Sequence, residues 1–332
     1  MIQLTIKKGG RKVKNIFIIL TVMLLIITGN AISSWVYEGQ WGSYGTGEGQ
    51  FNKPRGVEIA PNGDVYIADT NNHRIQYFTQ DGQFLGQFGG FGTGDGQFIM
   101  PYGLAISQNG TIYVADTYNC RIQYFAIDGH IGKWGSMGVG DSQFMFPVDV
   151  DISTDGIVYV LDSVNNRIQY FTSSGIYLGK WGSYGSGDGQ FNLPEGLCVA
   201  PNGNVYVSDT ENHRIQYFTA NGLFLGKWGS FGKDNGQFDC PHGITISQDN
   251  IVYVVDCVNH RVQYFTLEGN FLGTWGSYGT GDGQFSNPHY IDVGQNKIAY
   301  VSDYDNHRIE YFNYVPTNIT PTSLGIVKAL FK

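Results

Sequence analysis

One phrase recurs six times along the chain, and it leaves few folds open. WGSYGTGEGQF begins at Trp41, and in-phase copies begin at Phe88, Trp134, Trp181, Trp228 and Trp275, at offsets of 47, 46, 47, 47 and 47 residues. Each copy continues with a Pro, a short apolar run, an Asn-Gly or Asp-Gly type of turn, and VYIADTNNHRIQYF or a variant of it. A period of this length makes each unit one supersecondary element that must stack on its neighbours to bury its apolar surface.

Within the first unit, Gly56–Ala60 reads as a short strand a, Val65–Asp69 as strand b, Arg74–Thr79 as strand c and Phe84–Phe88 as strand d. Asn62-Gly63 and Asp81-Gly82 supply hairpin turns, because glycine takes the positive φ that such turns need. Strands b and c are apolar on both alternating faces, so a lone sheet would leave one face wet, whereas a ring of sheets stacked face to face covers both. The composition agrees: 47 Gly among 332 residues, with 15% aromatic and 14% charged, excludes disorder and long helical bundles. The last copy ends at strand c near Phe312, while Trp35–Trp41 stands in phase with a strand d. The expectation is therefore an all-β, six-bladed β-propeller of four-stranded antiparallel blades over residues 35–314. Its N-terminal strand closes the ring and removes the exposed edges.

Residues 1–34 precede this body, and 315–332 form a C-terminal tail. Lys7, Lys8, Arg11, Lys12 and Lys14 stand ahead of the apolar run from Ile16 to Thr28, and small residues follow. This is the layout of a secretory signal peptide or an uncleaved signal anchor, which places the propeller outside the cytoplasm, secreted or membrane-anchored. A membrane role is expected only through that segment if it stays uncleaved. Residues 1–31 hold 5 basic side chains and no acid, so the remainder carries 20 − 5 = 15 Lys+Arg against 28 Asp+Glu. A body this acidic repels polyphosphates, so no nucleic acid is expected as a partner. Asn109-Gly110-Thr111 and Asn318-Ile319-Thr320 are glycosylation acceptor patterns.

The phrases ADTNNHRIQYF, SDTENHRIQYF and SDYDNHRIEYF resemble NHL repeats, and the likeness runs through all six units. The resemblance implies a six-bladed propeller. It does not imply one activity, since propellers of this type serve as protein-binding sensors, as RNA-binding modules and, in one metal-dependent lyase, as a catalyst. Fold alone does not fix function.

Recurrence within the chain separates scaffold from candidate site. The Asp closing strand b (Asp69, Asp116, Asp162, Asp209, Asp256, Asp303) and the Arg five residues on are invariant, which suits pairing across the b–c loop. His73, His213, His260 and His307 recur in that loop, with Cys120 and Asn166 in their place in units two and three, and read as loop-bracing or solvent-facing. The GTGDGQF loops read as chain reversals rather than calcium sites, since each offers one carboxylate. The position after the Pro that opens strand a does vary: Arg55, Tyr102, Val148, Glu195, His242, His289. Strand a lies innermost, so these side chains are expected to ring the channel mouth on the b–c loop face.

Arg55, Tyr102, Glu195, His242 and His289 are the candidate ligand-binding set. No catalytic or cofactor motif is present. The one cofactor the residues admit is a divalent metal on Glu195, His242 and His289, a two-His-one-carboxylate set. The metal-dependent lyase of the resembled family places metal-ligating His after Pro, as in Pro-His-Gly at 241–243 and Pro-His-Tyr at 288–290 here. It uses three in non-adjacent blades, whereas this chain has two in adjacent ones. Cys240 and Cys257 fall on the same face of unit five, open to a disulfide, a zinc site or unpaired thiols. The reading is a monomeric binding or scaffold module for a protein, peptide or small polar ligand, working through the b–c loop face and channel mouth. The alternative is a metal-dependent lyase or hydrolase at the mouth.

Overall fold

The computed structural model describes residues 34–126, 129 and 131–316. The N-terminal segment through 33 and the tail from 317, with its Asn318 acceptor pattern, lie outside them. Trp35–Tyr314 forms one compact unit. It is an all-β propeller of six four-stranded antiparallel blades. Blade 1 shows the pattern: Pro54–Ile59 is strand a, Val65–Asp69 strand b, Arg74–Phe78 strand c and Phe84–Gly89 strand d. In strands b and c, Val65 faces Phe78 and Tyr66 faces Tyr77 across the pair.

The sixth blade is built from both ends of the unit. Its order is Ser34–Trp41, Arg308–Val315, Ile298–Asp303, Pro288–Val293, so the N-terminal strand is its outermost member. Trp35 anchors that strand. It is 8% exposed and stacks on Trp275 with ring centroids 5.0 Å apart.

Both faces of each blade are dry because the neighbours cover them. The core clusters join adjacent blades: Phe51, Val65, Ile67 and Phe78 of blade 1 pack with Tyr290, Tyr300 and Ile309 of blade 6, and five more follow round the ring, the one between blades 3 and 4 also taking in Tyr102 of blade 2. Burial on this scale is the main force that holds a ring of blades together.

The invariant Asp ties each blade to its loops. Every one is fully buried, with an Oδ2 taking Arg Nε at 2.7–2.8 Å. Its Oδ1 accepts a backbone N–H from the loop entering strand a, as Asn52 N to Asp69 at 2.8 Å. The loop histidines brace one blade against the next: Nδ1 of His73, His213, His260 and His307 accepts the N–H of Met100, Cys240, Asn287 and Lys53 at 3.0–3.2 Å. Each of these histidines has a φ of 52–57°. In blade 3, Asn166 Oδ1 does the same work on Leu193 N at 2.8 Å.

Candidate functional site

The six variable residues stand where the inner strands begin, on the face that carries the b–c loops. That placement follows from the register, which pairs the opening Pro with the Asp ending strand b in five blades, as Pro54 with Asp69 and Pro288 with Asp303, while in blade 4 Glu195 N donates to Ser208 O at 3.2 Å. The mouth is closely packed. Arg55 Nη1 lies 3.4 Å from Glu195 Oε2, a pair whose side chains are 13% and 23% exposed. The Arg55 guanidinium sits 3.9 Å from the Tyr102 ring centroid and 5.2 Å from that of Tyr304. Val148 is buried in an interblade core.

His242 and His289 meet directly. Their Nδ1 atoms are 3.3 Å apart, with the rings crossed at 77°. His289 also stacks on Tyr304, centroids 4.1 Å apart. Burial, with the Arg55 charge adding to it, pushes His242 down to about 3 and His289 well below its ordinary value. Both imidazoles are therefore neutral near pH 7. Burial lifts the Glu195 carboxyl while Arg55 draws it back, leaving it above its usual value.

Three further residues shape this mouth: Tyr290 and Tyr304, which the sequence reading did not single out, and Cys257, which it took up with Cys240. Tyr290 follows His289 at a position occupied by Gly56, Gly103, Gly196 and Gly243 elsewhere and by Asp149 in blade 3. Its hydroxyl crosses the axis and is shared between the carbonyls of Val148 at 3.0 Å and Glu195 at 3.1 Å. Two glycines at that position are demanded by the close approach of inner strands: a Cβ on Gly196 would lie 2.2 Å from His242 O, and one on Gly243 2.6 Å from Tyr290 Cα. The other two residues occupy the position after the invariant Asp, which reads Thr70, Thr117, Ser163, Thr210, Cys257, Tyr304. Thr70 and Thr210 donate to the next blade's opening Pro carbonyl at 2.8 and 2.7 Å. Cys257 and Tyr304 abandon that duty. The Cys257 thiol instead lies 2.7 Å from Asn287 Oδ1. The signal was available, since these two units break the Thr/Ser pattern.

Among the described residues, His242, Cys257 and His289 bring their ligand atoms within 4.8 Å of one another, and so do His213, Asp239 and Cys240. Glu195 faces Arg55 rather than joining the first group. All four cysteines are free thiols. Further down the channel stand Asp149, which is buried, and Glu58, Asp151 and Asp292, which are half-buried. They accept N–H bonds from the next blade's inner strand, from Ile106, Leu197, Val199 and Ile59 respectively. Burial raises all four, Asp151 to about 7. They serve as clasps between inner strands whose inward N–H groups would otherwise lack partners.

Fold and repeats together define an NHL-type propeller. The NHL repeat matches residues 51–78, 98–125, 144–171, 191–218 and 238–265, so the chain is an NHL-repeat protein with five such repeats, and the blade containing Phe285–Phe312 completes the ring in the same architecture. It is 49% identical over 49 residues to the B-box type zinc finger protein ncl-1 of Caenorhabditis elegans, a match that spans 15% of this chain and 6% of that protein. Among solved structures it resembles a streptogramin B lyase (TM-score 0.59, 14% identity, covering 85% of this chain and 98% of the other). It also resembles a gluconolactonase from Xanthomonas campestris (TM-score 0.61, 12% identity, 85% and 98%). At these identities the structural likeness is one of fold.

Proposed function

We propose that the protein is a monomeric, extracytoplasmic binding module that docks a protein, peptide or small polar ligand on the face carrying the b–c loops and the channel mouth. The observation that carries this reading is an uneven face. Tyr118, Val164, Leu193 and Val258, 44%, 40%, 41% and 48% exposed, form an apolar arc over blades 2 to 5. Across the mouth, the Lys53–Asp305 ion pair gives blades 6 and 1 a polar rim. Large exposed apolar groups beside a charged, aromatic centre suit a docking surface, with the rigid ring limiting the entropy lost on binding. The basic-then-apolar segment before Ser34 supports an export route, by cleaved signal or by anchor.

The test is selection of a displayed peptide library on the immobilised propeller and on a Tyr118→Ser, Val164→Ser, Val258→Ser variant. Enrichment of a shared motif that the variant fails to enrich is the expected result. Equal enrichment on both overturns the reading.

The meeting of His242 and His289 favours a second reading, a metal-dependent lyase or hydrolase centred on the mouth with Glu195 nearby. Turnover of a streptogramin B or aldonolactone substrate that disappears in His289→Ala would establish it. Motif enrichment indifferent to His289→Ala, without turnover, leaves the binding module.

A further inference from the structure

His242, Cys257, His289 and Tyr304 fall in blades 5 and 6: the first and third meet through their Nδ1 atoms, Cys257 brings its sulfur close to both, and His289 stacks on Tyr304. Positions that elsewhere carry a Thr or Ser bound to the scaffold, or a glycine required by close packing, have here been given over to other chemistry. We propose that His242, His289 and Cys257 form a binding site for a borderline-soft transition-metal ion, zinc in the first instance, held between blades 5 and 6 with Cys257 rather than Glu195 as the third ligand.

Geometry favours an ion between these groups. Zinc takes nitrogen at about 2.0–2.1 Å, so two imidazoles at a tetrahedral angle sit about 3.3 Å apart. The Nδ1 atoms of His242 and His289 are 3.3 Å apart as they stand. The Cys257 sulfur lies within 4.8 Å of a ring nitrogen of each histidine, a short contraction from a shared ion. Two neutral imidazoles and one thiol are nitrogen and sulfur donors, the set that selects zinc over magnesium or calcium. Glu195 is already committed to Arg55. That ion pair also moderates the positive charge that Arg55 alone would set against a cation. Binding converts the Cys257 S–H to thiolate: one divalent ion enters, one proton leaves to solvent, and the site gains a single positive charge. The fourth tetrahedral position is left for a ligand from the mouth. This site is independent of the docking arc, which uses none of its three residues.

The experiment is zinc and cobalt titration of the purified, reduced protein, followed by dialysis and elemental analysis. The expected result is about one zinc retained per chain, and a thiolate-to-cobalt charge-transfer band in the near ultraviolet. Cys257→Ser removes the band, and His242→Asn or His289→Asn removes the ion, while Glu195→Gln and Cys240→Ser keep both. Thermal unfolding of each variant shows whether it is folded. Any of three results overturns the proposal: no zinc retained by the folded wild type, a cobalt spectrum without the thiolate band, or loss of the ion in Glu195→Gln or Cys240→Ser but not in Cys257→Ser. The peptide selection compares wild type with the Tyr118, Val164 and Val258 variant and measures no metal, so failure here leaves the docking reading to its own test.

Discussion

Glu310 breaks the pattern of strand c in an informative way. Gln76, Gln123, Gln169, Gln216 and Gln263 occupy the same position, and each donates its Nε2 to a loop carbonyl and to the invariant Asp, as Gln76 does to Gln50 O at 2.7 Å and Asp69 Oδ2 at 3.1 Å. A carboxylate can donate to neither acceptor and a protonated carboxyl to only one; Glu310 Oε1 instead lies 2.7 Å from Arg308 Nη2. Burial raises Glu310 to about 8, with Asp303 and Asp282 pushing the same way and Arg308 pulling back. The phenol of Tyr37 faces it as well. An acid held protonated in the fold and ionised when unfolded makes stability fall as pH rises from about 4.3 to the folded value. Glu310→Gln should therefore remove this slope. Denaturant titrations at pH 5 and pH 8.5 should show the variant gaining on the wild type at the higher pH, and a constant difference would contradict the protonated carboxyl.

At the scale of the blade, the outer strand carries Trp41, Trp134, Trp181, Trp228 and Trp275, but Phe88 in blade 1. Trp41, Trp134, Trp181 and Trp228 each sit over a turn glycine of the next blade, as Trp134 does over Gly175. With the smaller Phe88, a Cβ added at Gly129 would meet nothing within 4 Å, and a cleft of about 480 Å³ opens between blades 1 and 2, lined by Tyr66, Tyr77, Phe88 and Phe125. Phe88→Trp should fill part of it and stabilise the protein by about 0.5–2 kcal/mol, read as a rise in the denaturation midpoint; a fall would mean the cleft is shaped for something other than the missing ring. The blades were legible in the sequence because strands b and c are apolar on both alternating faces and many of the turns carry Asn-Gly or Asp-Gly. The inner ring was legible as a position, since the Pro fixes where each inner strand starts. Its contacts were not. That Tyr290 reaches across the axis, or that Cys257 comes close to His242 and His289, depends on distances between units, and periodicity carries no such distances.

Closure by the N-terminal strand governs the molecule as a whole. A chain beginning at Gly42 lacks Trp35 and the strand beside Arg308–Val315. Losing a buried Trp alone costs about 3–5 kcal/mol. The shortened chain should unfold at a lower temperature than one beginning at Ser34 and be cut first by protease in its sixth blade. Adding the peptide SWVYEGQW should restore part of the difference, and identical melting of the two chains would show that the ring does not depend on this strand. Synthesis makes that strand first and its partner last. A growing polypeptide therefore carries an orphaned ribbon of Trp, Val and Tyr until Arg308–Val315 has left the ribosome. Throughout that interval the ribbon is an unpaired edge open to other strands, until the final blade arrives to claim it.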